Sequence, residues 1–254
     1  HWYYSNLRES LISLTGLTLH NQNKHFDELF DTLMKKFEKT DPSEITPDIP
    51  LLIIRALQEK VGFAENCEGI WKKYRTSLLK IIRNLKSGVY NAELHENGLL
   101  FIPEDKETCT WMNEIADGKA VTPRTGFVVE VNALWYNALL YLSGVADINN
   151  SKTLKRELEN IPEKALHFFN EIFFNEENGA LFDYVNDEEQ NSDIRPNQLF
   201  AVSLPYSPLD DSVKKEILKT IKSHLLTKKG LRTLSPNEFH YIGKYFGNEA
   251  QRNT

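Results

Sequence analysis

Four short polar clusters hold the residues best able to do chemistry. Arg8 and Glu9 precede Leu11, and Asp48 precedes Leu51. Trp111, Asn113, Glu114, Arg124 and Glu130 precede Val131, and Asp193, Arg195, Asn197 and Gln198 precede Leu199. Carboxylates accept hydrogen bonds or, when protonated, deliver a proton, and arginine forks hold planar acceptors. An amide such as Asn113 has no proton to transfer at ordinary pH. Each cluster stands just before a mostly apolar stretch, where Asp, Asn and Pro also fit plain helix capping. Capping accounts for Asp48 by itself. It accounts less well for the dense polar mix of Asp193-Ile194-Arg195-Pro196-Asn197-Gln198. His20 and His25 are five apart with no matching carboxylate spacing, and the other histidines are scattered. No Gly-rich phosphate loop or Gly-x-Ser-x-Gly elbow occurs, so neither a metal nor another cofactor is expected.

The elements that must position these clusters read as helix after helix. Apolar residues at 7, 11, 14 and 17 form one stripe, and after the polar break His20-Asn21-Gln22-Asn23 a second helix runs from about His25 to Phe37. Pro50 to Lys60 is apolar nearly all round in its first turns, as a helix buried on both sides would be. Cys67 to Leu85 is amphipathic. Gly88 to Ala120 has few helical periods, with a short strand pair around Leu99–Phe101. Phe127 to Leu142 is again apolar on most faces, and Thr153 to Phe174 is amphipathic. Gly179 to Val185 reads as a short strand, Pro196 to Leu204 as a buried helix, and Asp211 to Leu226 as an amphipathic one.

A mostly apolar helix followed by an amphipathic one, several times over, is the pattern of concentric helices, the inner ring buried and the outer ring wet on one face. The expected fold is all-α, an (α/α)6-type toroid of helical hairpins, with roughly four of six hairpins present. In such a toroid the loops entering the inner helices line one shared mouth, which would gather the four clusters.

The 254 residues, 41% hydrophobic and 26% charged, fit a single globular domain over 1–254. A net charge of −6 argues against a nucleic-acid partner, and the Lys/Arg clusters sit in helical stretches as solvated faces. The longest apolar run is too short and interrupted to span a membrane. Two cysteines, Cys67 and Cys109, are too few for a disulfide framework, which fits a reducing, cytoplasmic setting. The chain opens without an initiator methionine and has no visible signal peptide, so a piece of a longer protein is expected.

Thr110-Trp111-Met112-Asn113-Glu114, with Val121-Thr122-Pro123-Arg124 and Glu130 through Asn137, resembles the active-site loop and following helix of the glycogen-debranching amylo-α-1,6-glucosidase family. So do His1-Trp2 through Leu19, Thr46 through Ala56, Asp193 through Pro208 and Gly230 through Pro236, so the resemblance spans nearly the whole chain. It implies an α/α toroid that removes α-1,6-linked glucose stubs from glycogen-like glucans with inversion. Inversion takes a carboxylic acid to protonate the leaving oxygen and a second carboxylate, roughly 6.5–9.5 Å away, to activate water. The family's acid is the aspartate after Thr-Trp-Met, and Asn113 occupies that place; Glu114, one residue on, is the possible substitute. The second carboxylate would lie beyond the Gly230–Pro236 block, past Thr254. The family's arginine–aspartate pair at the sugar pocket falls on Arg8-Glu9.

Sugar pockets stack pyranose faces on aromatics and bind hydroxyls with carboxylates, amides and arginine forks. Trp2, Trp111, Trp135 and Tyr206 lie in the matching segments. Sugar contact is expected for Trp111, and core packing for Trp135 and Tyr136 inside their apolar helix. The implied substrate-binding set is Arg8, Glu9, Asp48, Trp111, Arg124, Glu130, Asp193, Arg195, Asn197 and Gln198, and the partner an α-glucan or oligosaccharide. Three readings follow: a debranching glucosidase, a catalytically impaired glucan-binding relative, and a scaffold without ligand.

Overall fold

The computed structural model describes residues 6–19, 23–62, 67–244 and 247. Trp2 and the break at His20–Gln22 lie outside the described residues. The protein is mostly helical, with small antiparallel ladders between the helices. The helices are α1 (Leu7–Leu19), α2 (Asn23–Lys39), α3 (Asp48–Val61), α4 (Glu68–Lys86), α5 (Val129–Ile148), α6 (Lys152–Leu158), α7 (Ile161–Phe173), α8 (Leu199–Ser203) and α9 (Asp211–His224). Among these no helix is long and apolar enough to cross a membrane.

Burial follows the alternation in the sequence. In α3 every residue from Asp48 to Ile54 is buried, and α5 is buried from Val129 through Leu139. By contrast α4 buries one stripe, Ile70, Leu78, Ile81, Ile82 and Leu85, and α9 buries Ile217 and Ile221. A helix whose neighbours cover it on all sides loses nothing by being apolar all round, whereas a helix with a wet face must confine its apolar residues. Helix α5 is the hub, packing on α3, α6, α7 and α8.

Two helical expectations change. Thr153–Phe174 is not one helix but two, α6 and α7. Asn160 adopts a left-handed conformation (φ 61°) and Pro162 occupies the first turn of α7, so its missing N–H ends the ladder behind it. Pro196–Leu204 becomes a 3-10 turn (Pro196–Gln198) followed by the five-residue α8.

The fold is also not purely α. Two-residue strands β1 (Glu93–Leu94) and β2 (Leu100–Phe101) pair where a strand pair is expected, and β3 (Ile115–Ala116) pairs with β4 (Lys119–Ala120). A three-stranded ladder joins β5 (Phe127–Val128), β8 (Tyr184–Val185) and β9 (Gln190–Asn191). The pairs β6 (Phe174–Asn175) with β7 (Ala180–Leu181), and β10 (Leu226–Thr227) with β11 (Gly230–Leu231), follow α7 and α9.

The β5–β8 pairing (Phe127↔Val185, Val128↔Tyr184) sets the entry to α5. Just before it, Gly126 (φ +75°) exchanges two backbone hydrogen bonds with Ile102, 2.8 and 2.9 Å. A Cβ at Gly126 would lie 2.3 Å from the Val185 carbonyl oxygen, so only glycine admits this approach.

Helix α5 carries polar residues despite its burial, and Asn132, Trp135 and Asn137 among them are spent on neighbouring segments. Asn132 Oδ1 accepts the Leu100 N–H (2.8 Å), and its Nδ2 donates to the Leu100 and Val128 carbonyls (3.0 and 3.1 Å). The side chain thus completes the edge of β2. Trp135, wholly buried, donates its indole N–H to the Gly98 carbonyl (3.0 Å), and Asn137 joins Gln58 of α3 (2.7 Å) to the Tyr206 N–H (3.2 Å).

Candidate active site

The N-terminal ends of α1, α3 and α5 and the turn before α8 lie together, linked through one loop, Thr110–Glu114. At α1, Asn6 Oδ1 accepts the Arg8 N–H (3.1 Å), which starts the helix and presents the Arg8 side chain to α3. Arg8 then donates to Asp48 (2.5 and 3.3 Å), to Thr46 Oγ1 (2.8 Å) and to the Thr110 carbonyl (3.3 Å). Burial opposes the charge on Arg8, but Asp48 beside it outweighs that cost and holds its pKa above the ordinary value. Arg8 therefore pairs with Asp48, and Glu9 is exposed. Successive helix residues point about 100° apart, so adjacency in sequence does not make a pair.

The other side of the loop rests on a second, deeper cluster. Arg124 is fully buried and donates to both oxygens of Glu130 (2.5 and 2.7 Å) and to the Asp183 carbonyl (3.1 Å). Its Nε lies 2.7 Å from Asp183 Oδ2, and Arg195 Nε lies 3.8 Å from the same oxygen. Arg195 continues to Asp193 (3.0 Å) and to the Thr233 carbonyl (3.4 Å). Burial disfavours every charge here. Arg124 nonetheless keeps its proton more tightly than usual because two carboxylates face it, whereas Glu130 is pushed up by burial in spite of Arg124, with Asp183 adding like charge.

Asp183 is the functional candidate that sequence patterning misses. It is held by its backbone on both sides: its N–H donates to the Asn191 carbonyl (2.8 Å), and its carbonyl accepts the Val129 N–H (3.1 Å). The available signal was an acid between Phe182 and Tyr184 in a short apolar run, since a buried charge requires a partner.

Asn197 ties the deep cluster to the loop. Its Nδ2 donates to Asp183 Oδ1 (2.7 Å) and lies 3.5 Å from Met112 Sδ, while its Oδ1 accepts the Trp111 indole N–H (3.0 Å). Gln198 is buried beside it and spent on structure, accepting the Leu181 N–H (3.0 Å) and donating to the Arg195 carbonyl (3.1 Å).

Above these residues opens a cleft of about 770 Å³, lined by Met112, Val121–Pro123, Asp183, Tyr184, Glu189, Asn191, Asp193, Arg195 and the segments 233–234 and 239–242. Of the expected site residues, Asp193 and Arg195 line it directly. Trp111, 39% exposed, adjoins its lining residue Met112. Asn113 and Glu114 are exposed on the following loop, whose course is fixed where the Glu114 carbonyl accepts the Val121 N–H (2.9 Å). Arg124, Glu130, Asn197 and Gln198 lie beneath the surface. Tyr184 donates its phenol to Glu189 at the rim; its pKa is raised by burial and by that carboxylate.

Among the described residues no group of three His, Cys, Asp or Glu side chains could hold a metal ion. What the arrangement offers is a polar trough with carboxylates, an arginine fork and a half-exposed indole, suited to a polyhydroxylated ligand. No curated protein matches the chain. The family profile for amylo-alpha-1,6-glucosidase matches residues 1–254. Over its whole length, then, this chain belongs to the amylo-α-1,6-glucosidase family.

Proposed function

We propose that this chain acts on α-1,6-glucosidic branch points of a glycogen-like glucan, as one domain of (α/α)6-type toroid architecture, by inverting hydrolysis. One observation carries the reading. The starts of α1, α3 and α5 and the turn before α8 are held together around the Thr110–Glu114 loop, beside the polar cleft. The alternation of fully buried and one-face-wet helices supports the toroid.

The glucose stub lies in the cleft, where Asp193 and Arg195 hydrogen-bond its hydroxyls and Trp111 stacks on its ring. Arg8 and Asp48 act from below, by anchoring Thr110. Arg124, Glu130 and Gln198 are buried scaffold residues that hold the trough in shape. Asn113 stands at the acid position and can hold a hydrogen bond to the glycosidic oxygen but cannot protonate it. Glu114 supplies the proton instead.

The amide at 113 also favours a second reading, a relative that binds the glucan without turning it over. Glucose release from a branched limit dextrin decides between them. Release by the wild type that is lost in Glu114→Gln supports the acid role of Glu114, and release that survives this change overturns it. Binding without release, converted to release by Asn113→Asp, establishes the second reading. No binding and no release together refute both.

A further inference from the structure

Asn197 has been grouped with residues that touch the ligand, but its geometry suits a different task. The side chain is 2% exposed, and both of its amide hydrogens have partners: Asp183 Oδ1 at 2.7 Å and Met112 Sδ at 3.5 Å. Its oxygen accepts the Trp111 indole N–H at 3.0 Å. No donor is left over for a sugar hydroxyl.

The orientation of this amide is dictated from below. An ionised carboxylate only accepts hydrogen bonds, so Asp183 must meet the Nδ2 edge and never the oxygen. Asp183 is itself fixed, by Arg124 at 2.7 Å and by backbone hydrogen bonds to Asn191 and Val129. With Nδ2 turned toward Asp183, Oδ1 can only face the indole. Indole N–H is a donor with no acceptor capacity, so it takes that oxygen. The second Nδ2 hydrogen reaches Met112, whose N–H is held by Thr110 Oγ1 (3.1 Å). The fixed charge of Asp183 thus determines, through one amide, the plane in which the Trp111 ring is presented beside the cleft.

From this we infer that Asn197 is a positioning residue that locks Trp111 as a stacking platform for a pyranose ring. The inference rests on the glucan reading of the cleft. A ring that is 39% exposed yet anchored at its nitrogen exposes apolar face at little entropic cost on binding, because its two side-chain torsions are already fixed.

The test is a double-mutant cycle on isomaltose affinity, with the wild type, Trp111→Phe, Asn197→Ala and the double variant. Asn197→Ala in the wild-type background weakens binding about three- to tenfold, and Trp111→Ala about fivefold or more. In the Trp111→Phe background, which keeps a ring but lacks the N–H, Asn197→Ala has no further effect. An equal loss in both backgrounds would mean that Asn197 touches the sugar itself, and overturns the inference. Isomaltose affinity untouched by Trp111→Ala overturns the platform alone. No isomaltose binding by the wild type overturns the glucan reading and the platform with it.

Should Asn197→Ala fail to fold, the wild type still decides. The Trp111 indole proton, identified by its loss in Trp111→Phe, exchanges with solvent at least about tenfold more slowly than an exposed indole. Exchange at the free rate overturns the lock.

Discussion

Replacing Arg124 with methionine isolates the energetics of the deep cluster. The substitution removes both hydrogen bonds to Glu130, 2.5 and 2.7 Å, the 2.7 Å contact with Asp183 and the donor to the Asp183 carbonyl. All three side chains are at most 3% exposed, so water does not replace what is lost. Breaking a buried ion pair costs about 3–5 kcal/mol, because a carboxylate is left in a poorly polarisable interior. Asp183 keeps Asn197 at 2.7 Å and Arg195 at 3.8 Å, so its share does not double the cost. Methionine fills much of the arginine stem's volume, and little further packing is lost.

The cost of Arg124→Met therefore stays near 3–5 kcal/mol, or roughly 6–20 °C in melting temperature for a chain of this size. Urea unfolding followed by far-ultraviolet circular dichroism measures it. The pH dependence has a definite sign. Burial already raises the Glu130 pKa in the folded protein, and removing Arg124 raises it further. A carboxyl raised on folding is harmless below its unfolded pKa and destabilises as pH rises toward its folded value. The variant's deficit is thus smaller at about pH 5 than at about pH 8. Adding Glu130→Gln, which removes one orphaned charge, recovers part of the loss. A cost under about 1 kcal/mol, a deficit independent of pH, or no recovery with Glu130→Gln refutes the argument.

Three other perturbations probe the supports. Asn132→Ala leaves the Leu100 N–H and carbonyl without their partner, and should cost about 2–4 kcal/mol in the same unfolding assay. Gly126→Ala places a methyl 2.3 Å from the Val185 carbonyl at φ +75° and should cost more than about 2 kcal/mol; a loss under about 0.5 kcal/mol would mean that the β5–β8 approach is looser than described. Asp48→Asn weakens the Arg8 clamp by about 1.5–3 kcal/mol, and hydrogen exchange should report faster opening of the Thr110–Met112 amides while α9 is unchanged.

The helices were legible because burial on one side or all round leaves a direct trace in apolar spacing. Pro50–Lys60 and Phe127–Leu142, apolar on most faces, are the covered helices α3 and α5. The break at Asn160-Ile161-Pro162 was equally present in the sequence, yet the amphipathic stripe continues across it and masks it. The site was legible where its residues precede an apolar run, as Asp48, Glu130 and Asn197 do. It was not legible in the pairings, because Arg8 meets Asp48 forty residues away and Asn197 meets Trp111 eighty-six residues away. Spacing along a chain carries no information about such distances. Asp183 escaped because it sits in the bend between β7 and β8, whereas Gly179–Val185 reads in the sequence as one short strand in which nothing singles out an inward acid.

Helix α5 raises a question of rotation. A cylinder that is apolar all round has no preferred face, and could turn about its own axis among greasy neighbours at little cost. Residues 130, 132, 135 and 137 prevent this. At about 100° per residue, Glu130 and Asn137 fall on one side of α5, with Asn132 and Trp135 near the other. Turning the helix by one residue would undo the bonds to Arg124, Leu100, Gly98 and Gln58 at once. These four side chains work like the wards of a key. Apolar positions between them can exchange shape for shape, while the angular setting of α5, and with it the aim of Glu130 at Arg124, stays fixed.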